Sequence, residues 1–154
     1  MNKEELIMRG LMDLLNKWGW LNKTKMEGCF KGYKSSEIHY IEYIGRNADS
    51  NLTKFAEAFY MTRGAVSKIT RKLTDKGLVE SYQKPDNRKE IYFRLTRQGK
   101  QIDKIHKGLH KEFGERDKAV FAQLSGKQLD DMLGFIGKYK RHLDAEIKKL
   151  DMNT

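Results

Sequence analysis

The chain has 154 residues, one proline, one cysteine and 34% charged residues, so it can bury one core, build long helices and form no intrachain disulfide. No apolar run approaches the ~20 residues needed to span a bilayer, and the N-terminus lacks the basic-then-apolar layout of a secretory signal. The expectation is therefore a cytoplasmic protein with no membrane span. The formal net charge of +10 suits a polyanionic partner, since basic side chains displace the counterions condensed on phosphates; nucleic acid fits, and charge alone also admits an anionic membrane surface.

Residues 4–21 read as a first helix, because Ile7, Leu11, Leu14, Trp18 and Leu21 recur at spacings of four and three. Residues 22–35 mix Lys23, Thr24, Lys25, Gly28, Gly32 and Ser35 and suggest a connecting loop. Ser36 is placed to cap a second helix with Ile38, Ile41 and Ile44 on its apolar face. After a turn over 46–51, Ser50 or Asn51 can cap a short helix carrying Leu52, Phe55, Ala56 and Phe59. Thr62 caps the next helix, whose inward face is Ala65, Val66, Ile69 and Leu73 and which stops at Lys76-Gly77. Leu78–Gln83 and Ile91–Leu95 read as strands, the second with Ile91, Phe93 and Leu95 alternating against Tyr92 and Arg94; Lys84–Lys89 is the hairpin loop between them. Thr96 caps a long helix to about Gln123, bent near Gly114. Ser125 starts a last helix with Leu129, Met132, Leu133, Ile136, Tyr139, Leu143, Ile147 and Leu150 on one face. Trp18, Phe55, Phe59, Phe93, Phe135 and Tyr139 are expected in the core or a subunit interface.

The fold class expected is mainly α with a small β-wing: a winged helix-turn-helix over 36–96, and long helices at 1–35 and 97–154 for dimerisation. The helix after Thr62 turns Arg63, Ser67, Lys68, Thr70, Arg71 and Lys72 outward, and Gly64 lets a phosphate approach the helix N-terminus. Residues 51–97 hold eleven Lys or Arg against five Asp or Glu, a net of +6, so over half the chain's excess charge lies on this motif. In the hairpin, Lys84, Asp86, Arg88 and Lys89 form a charged tip; Asp86, two residues before Arg88, is placed to brace a guanidinium that would suit a narrow minor groove.

The segments AEAFYMTRGAVSKITRKLTDKGLVE (56–80) and KPDNRKEIYFRLTRQG (84–99) resemble the helix-turn-helix and wing of the MarR family, and the order of flanking helices also matches. The resemblance implies a homodimer knit by the first and last two helices and binding a pseudo-palindromic stretch of double-stranded DNA. Arg88 would enter the minor groove, with Arg63, Ser67, Thr70 and Arg71 facing the major groove. The implied function is a transcription regulator, a repressor, whose affinity responds to a small ligand or metal. An architectural nucleic-acid binder without effector is the alternative. No cofactor is required.

His106 and His110 lie four apart on one helix face, a spacing that suits two imidazoles on one metal. With His39, they occupy positions that resemble the ligand histidines of zinc-responsive members of the family; Cys29, Glu27 or Glu37 could complete a zinc site. Ile38 and Ile105 stand where acidic neighbours of a second metal are expected. A small organic effector is the other candidate occupant. Cys29, between Lys25 and Lys31, is more readily an inert thiol than a sensor. No phosphate-cradling glycine loop, nucleophile elbow or catalytic carboxylate pair is present in the sequence, which excludes the common enzyme classes.

Overall fold

Asn2 starts the first helix: its side chain accepts from the Glu5 N–H (2.8 Å) while the Glu5 carboxylate accepts from the Asn2 N–H (3.2 Å). The computed structural model describes residues 1–152, with side chains through Leu150; residues 153 and 154, at the end of the 97–154 region, lie outside the described residues. The elements run α1 (Lys3–Cys29), α2 (Ser35–Arg46), α3 (Leu52–Phe59), α4 (Arg63–Asp75), β1 (Val79–Lys84), β2 (Asn87–Leu95), α5 (Arg97–Phe121) and α6 (Gly126–Met152). The chain divides into two compact units, one through Lys111 and one from Glu112.

α1 outlasts the loop that the glycines of 22–35 suggest. Lys23, Lys25, Met26 and Glu27 are sound helix formers, Lys23 pairs with Glu27 at 3.7 Å, and the Thr24 hydroxyl donates to the Trp20 carbonyl at 2.8 Å; one glycine costs only about 1 kcal/mol. The break comes after buried Phe30, at Gly32, where φ is +89°. α2 begins two residues earlier than a Ser36 cap allows. Its cap position is Lys34, which makes no side-chain cap bond. The start is instead tied to α4 by Glu37, buried and paired with Lys76 at 2.8 Å. Asn51 and Thr62 do cap α3 and α4, accepting from Lys54 N (2.8 Å) and Ala65 N (3.1 Å). α4 closes with the Leu78 N–H on the Leu73 carbonyl (3.0 Å) and Gly77 at φ +74°.

The core of the first unit lies where α2, α3, α4 and the root of the hairpin meet: Tyr40, Ile41, Ile44, Phe55, Val66, Leu73, Leu78, Val79 and Leu95 are buried together. Phe55 packs on Tyr40 (centroids 4.0 Å) and stacks on Phe59 (4.3 Å). Thr96 caps α5 by accepting from the Gly99 N–H at 3.1 Å. Gly99 is required there, because a Cβ would stand 2.1 Å from the Leu78 carbonyl oxygen.

β1 and β2 pair antiparallel, Val79 opposite Leu95 and Tyr82 opposite Tyr92, with a register shift between Tyr82 and Lys84. The expected six-residue loop shrinks to a two-residue turn, Pro85-Asp86, because pairing resumes at Lys84 and Asn87. The side chain of Gln83 spans the irregularity by donating to the Arg88 carbonyl at 2.9 Å. The expected alternation holds at Phe93 and Leu95, which pack on the core, but Ile91 is exposed and Tyr92 is buried on the other face against Tyr82, rings 5.5 Å apart. Tyr92 pairs in regular register with Tyr82, on the face opposite Phe93 and Leu95, and the shift comes only between Tyr82 and Lys84. A backbone bridge from Phe93 N to Ser50 O (2.8 Å) ties β2 to the turn before α3.

In the second unit, Ser125 and Gln128 cap α6 reciprocally, at 2.9 and 3.1 Å. Phe135 and Tyr139 pack along the helix, 5.7 Å apart. The stripe on α6 stays in solvent in the single chain: Met132, Leu133, Ile136, Leu143 and Leu150 are all exposed. So are Ile7, Leu14, Trp18 and Leu21 on α1.

Candidate nucleic-acid interface

α4 is amphipathic by spacing. Val66 and Leu73 anchor it, and Arg63, Gly64, Lys68, Arg71 and Lys72 are exposed on the other side. Thr62, at the cap, is exposed, and Ser67 is half-buried. Thr70 does not join the outward set. It lies four residues after Val66 and three before Leu73, which puts it on the inward stripe. It is buried, with its hydroxyl 2.6 Å from the Tyr40 hydroxyl and donating to the Val66 carbonyl at 2.9 Å. Burial pushes the Tyr40 phenol above its usual range.

The hairpin follows two residues after the Lys76 that closes α4. Arg88 and Lys89 are exposed on β2 and Asp86 is exposed in the turn. The brace expected from Asp86 to Arg88 does not form among the described residues. A different acid braces the wing. Asp49, in a left-handed conformation (φ +59°), accepts from Tyr82 Oη at 2.6 Å and from Lys84 Nζ at 2.7 Å. Lys84 also lies over the Tyr92 ring, 4.9 Å from its centroid. The hydrogen bond from Lys84, then that from Tyr82, holds the Asp49 carboxyl below the usual carboxylate range, and Asp49 in turn raises Lys84. The signal for this brace in the sequence is slight: an Asp in a turn, with no local partner.

The three histidines do converge. Nε2 of His106 and Nε2 of His110 are 3.0 Å apart, and the His39 ring meets the His106 ring edge-on at 6.2 Å. The fourth group is Glu42, which the sequence-based choice of acids omits. Ligand atoms of His39, Glu42 and His106 lie within 4.8 Å of one another, and Glu42 Oε2 is 3.7 Å from His106 Nδ1. Its signal was the spacing His39-x-x-Glu42, one turn along one helix face. Cys29 is exposed, Glu27 pairs with Lys23, and Glu37 is held by Lys76, so none of these is in the cluster. His106 is buried and its Nδ1 has no hydrogen-bond partner. Burial, reinforced by His110, pushes the His106 imidazole below its ordinary value, towards the neutral form that metals bind. The donor set of two or three imidazoles and one carboxylate therefore fits a zinc-sized ion.

A capped helix pair presenting a basic helix, joined directly to a two-stranded ribbon, defines a winged helix-turn-helix protein. The chain belongs to the MarR family, whose model matches residues 34–91. It is similar to the HTH-type transcriptional regulator PchR of Bacillus subtilis (strain 168), 32% identical over 111 residues that cover 72% of this chain and 66% of PchR. It is also similar to the uncharacterized HTH-type transcriptional regulator YhjH of the same strain, 35% identical over 94 residues, 61% of this chain. The match spans only about half, 54%, of the length of YhjH. Among solved structures, Streptococcus pneumoniae FabT in complex with DNA superposes with a TM-score of 0.80 at 22% identity, covering 92% of this chain and 98% of FabT. The adhesin competence repressor AdcR of Streptococcus pyogenes gives 0.68 at 20% identity, covering 88% and 96%. These two likenesses establish the fold. No helix among the described residues is long and apolar enough to cross a membrane.

Proposed function

We propose that the chain is a homodimeric, sequence-specific DNA-binding transcription regulator, a repressor, with two lobes reading a pseudo-palindrome. The observation that carries this is the exposed face of α4, with Arg63, Lys68, Arg71 and Lys72 together beside a braced wing bearing Arg88 and Lys89. An α-helix of this composition suits the major groove, and an extended arginine suits the minor groove. The likeness to FabT, which was solved on DNA, supports the same assignment. Thr62 and Gly64 would present the α4 N-terminus to a phosphate. Lys84 would act mainly by holding the wing, because Asp49 already takes its charge. The exposed apolar faces of α1 and α6 support assembly: a second copy would cover them, and one two-fold axis would then set two α4 helices about one DNA turn apart. The regions 1–35 and 97–154 would build the dimer, and 36–96 the DNA-reading lobe.

The effector in this proposal is a metal or small organic molecule at His39, Glu42, His106 and His110. Zinc, if bound, would be held by the imidazoles and the Glu42 carboxylate and would join α2 to α5. A ligand gripping both helices shifts the DNA-competent population only through its difference in affinity between states. A hundredfold change in operator affinity needs about 2.7 kcal/mol of coupling. The test is recovery of bound genomic DNA by sequencing, then operator titration with and without zinc. Binding without sequence preference would leave an architectural protein. A monomer by sedimentation at micromolar concentration would remove the two-lobed mechanism. Zinc bound equally by wild type and by the His106→Ala/His110→Ala variant would remove the metal from this cluster.

A further inference from the structure

The turn from α3 to α4 is Tyr60, Met61 and Thr62. The N–H groups of Tyr60 and Met61 both donate to the Ala56 carbonyl, and this closure holds Tyr60 in the left-handed region, at φ 52° and ψ 44°. Glycine adopts that conformation freely. A side chain crowds its own backbone there, and a bulky residue with positive φ is uncommon. Among the described residues the other non-glycine with positive φ is Asp49, whose side chain is fully used in holding Tyr82 and Lys84.

The fold makes no comparable use of Tyr60. The residue is 70% exposed. The other six tyrosines each have a hydrogen-bonding, ring or cation partner in the chain. Tyr60 has none among the described residues. Strain kept at a residue whose side chain does nothing for the free chain points to something it touches in a complex.

Its place in the turn says what that is. Two residues on, Thr62 caps α4, so the two Cα atoms are at most about 7.6 Å apart. The exposed Arg63 follows, and residues 58–74 hold four Lys or Arg and no Asp or Glu. The helix N-terminus and these cations favour an anion beside Tyr60. A phenol offers such an anion an O–H donor, and its ring offers an apolar face. Both match the phosphate and sugar of a DNA strand, which side chains of this kind contact.

We propose that Tyr60 is a DNA-backbone contact: its hydroxyl donates to a phosphate oxygen near the α4 N-terminus, and its ring lies on the adjoining deoxyribose. The proposal deepens the nucleic-acid reading above and rests on it. A backbone contact carries no base preference, so its test needs no knowledge of the operator.

The experiment is fluorescence anisotropy of a labelled mixed-sequence DNA duplex with the full chain and its Tyr60→Phe and Tyr60→Gly variants. It is run at several salt concentrations, with thermal unfolding alongside. Tyr60→Phe should weaken binding about fivefold or more, as expected for one hydrogen bond to a charged group. The salt slope should not change, because a neutral phenol displaces no counterion. Tyr60→Gly should weaken binding further while its unfolding midpoint holds or rises, since glycine relieves the left-handed strain. Affinity and stability would then move apart, whereas a merely structural tyrosine would lower both together. That joint fall would overturn the proposal, and so would full affinity in either variant with wild type bound. A wild-type chain that does not bind the duplex would remove the nucleic-acid reading itself, and this contact with it.

Discussion

Replacing Thr70 with valine separates two roles that its position on α4 confuses. The substitution keeps shape and β-branching and removes only the hydroxyl. That hydroxyl is the buried partner of the Tyr40 phenol at 2.6 Å, and it donates to the Val66 carbonyl at 2.9 Å. Val66 O keeps its helical backbone partner, so the main loss is the orphaned phenol, which costs about 1–3 kcal/mol. For a chain of this length each kcal/mol corresponds to roughly 2–4 °C in the unfolding midpoint, so a fall of roughly 4–8 °C is expected for a central 2 kcal/mol. Tyr40→Phe leaves Thr70 bonded to Val66 and should cost only about 1 kcal/mol. With both changes no polar atom is stranded, so the double variant should be more stable than the sum of the singles predicts, by about 1 kcal/mol. Thermal and urea unfolding at one fixed protein concentration measures all four corners of this cycle. Operator preference should not change in Thr70→Val. A variant that unfolds like wild type but reads a different sequence would refute the inward placement of Thr70.

Further outcomes follow from the same geometry. Tyr40 has a phenol raised by burial, so the folded state keeps its proton where the unfolded chain loses it; this stability is present below pH 10 and is lost as pH rises through the raised value, and the alkaline loss should be smaller in Tyr40→Phe. Arg88→Ala should weaken binding across all DNA sequences and lower the salt slope by about one unit per lost phosphate contact, whereas Arg71→Ala should relax preference at one base pair by about 1–3 kcal/mol; titration against operator and scrambled DNA at several salt concentrations separates them. Asp49→Ala should leave the core intact but loosen the wing, read as faster amide exchange over residues 82–92 and weaker operator binding. Unchanged exchange there would show that the Ser50–Phe93 bridge alone holds the hairpin.

Local chemistry made most of the fold legible. Asn51, Thr62, Thr96 and Ser125 each cap the helix expected of them, because a short polar side chain ahead of an apolar stripe has few other uses. Gly77 at φ +74° ends α4 where only glycine is comfortable. The failures come where a long-range contact outweighs a local preference. Glu37 reaching Lys76 starts α2 without a side-chain cap. Tyr92 is buried on the outer face of β2 beneath Lys84 and against Tyr82, and Ile91 is exposed, a cross-strand packing that the alternation of β2 does not contain.

The interface divides on the same line. Exposure follows from periodicity, so Arg63, Lys68, Arg71, Lys72, Arg88 and Lys89 emerge on the surface as the spacing requires. Pairing does not follow from periodicity. Thr70 is polar and sits among outward residues, yet it belongs to Tyr40, thirty positions earlier. Asp86 lies two residues from Arg88, yet the acid that fixes the wing is Asp49, reaching Lys84 across thirty-five positions. Glu42 shares a helix face with His39, which the spacing shows, but it meets His106 only because the fold brings that face of α2 to α5. Each case has the same cause. Most buried or tightly held polar groups find a partner, and the fold supplies it from whatever it brings near, not by distance along the chain. A residue's helical phase thus decides whether it is exposed, while the long-range pairs of Asp49, Tyr40 and Glu37 decide how firmly the surface bearing it is held for the proposed reading of a groove.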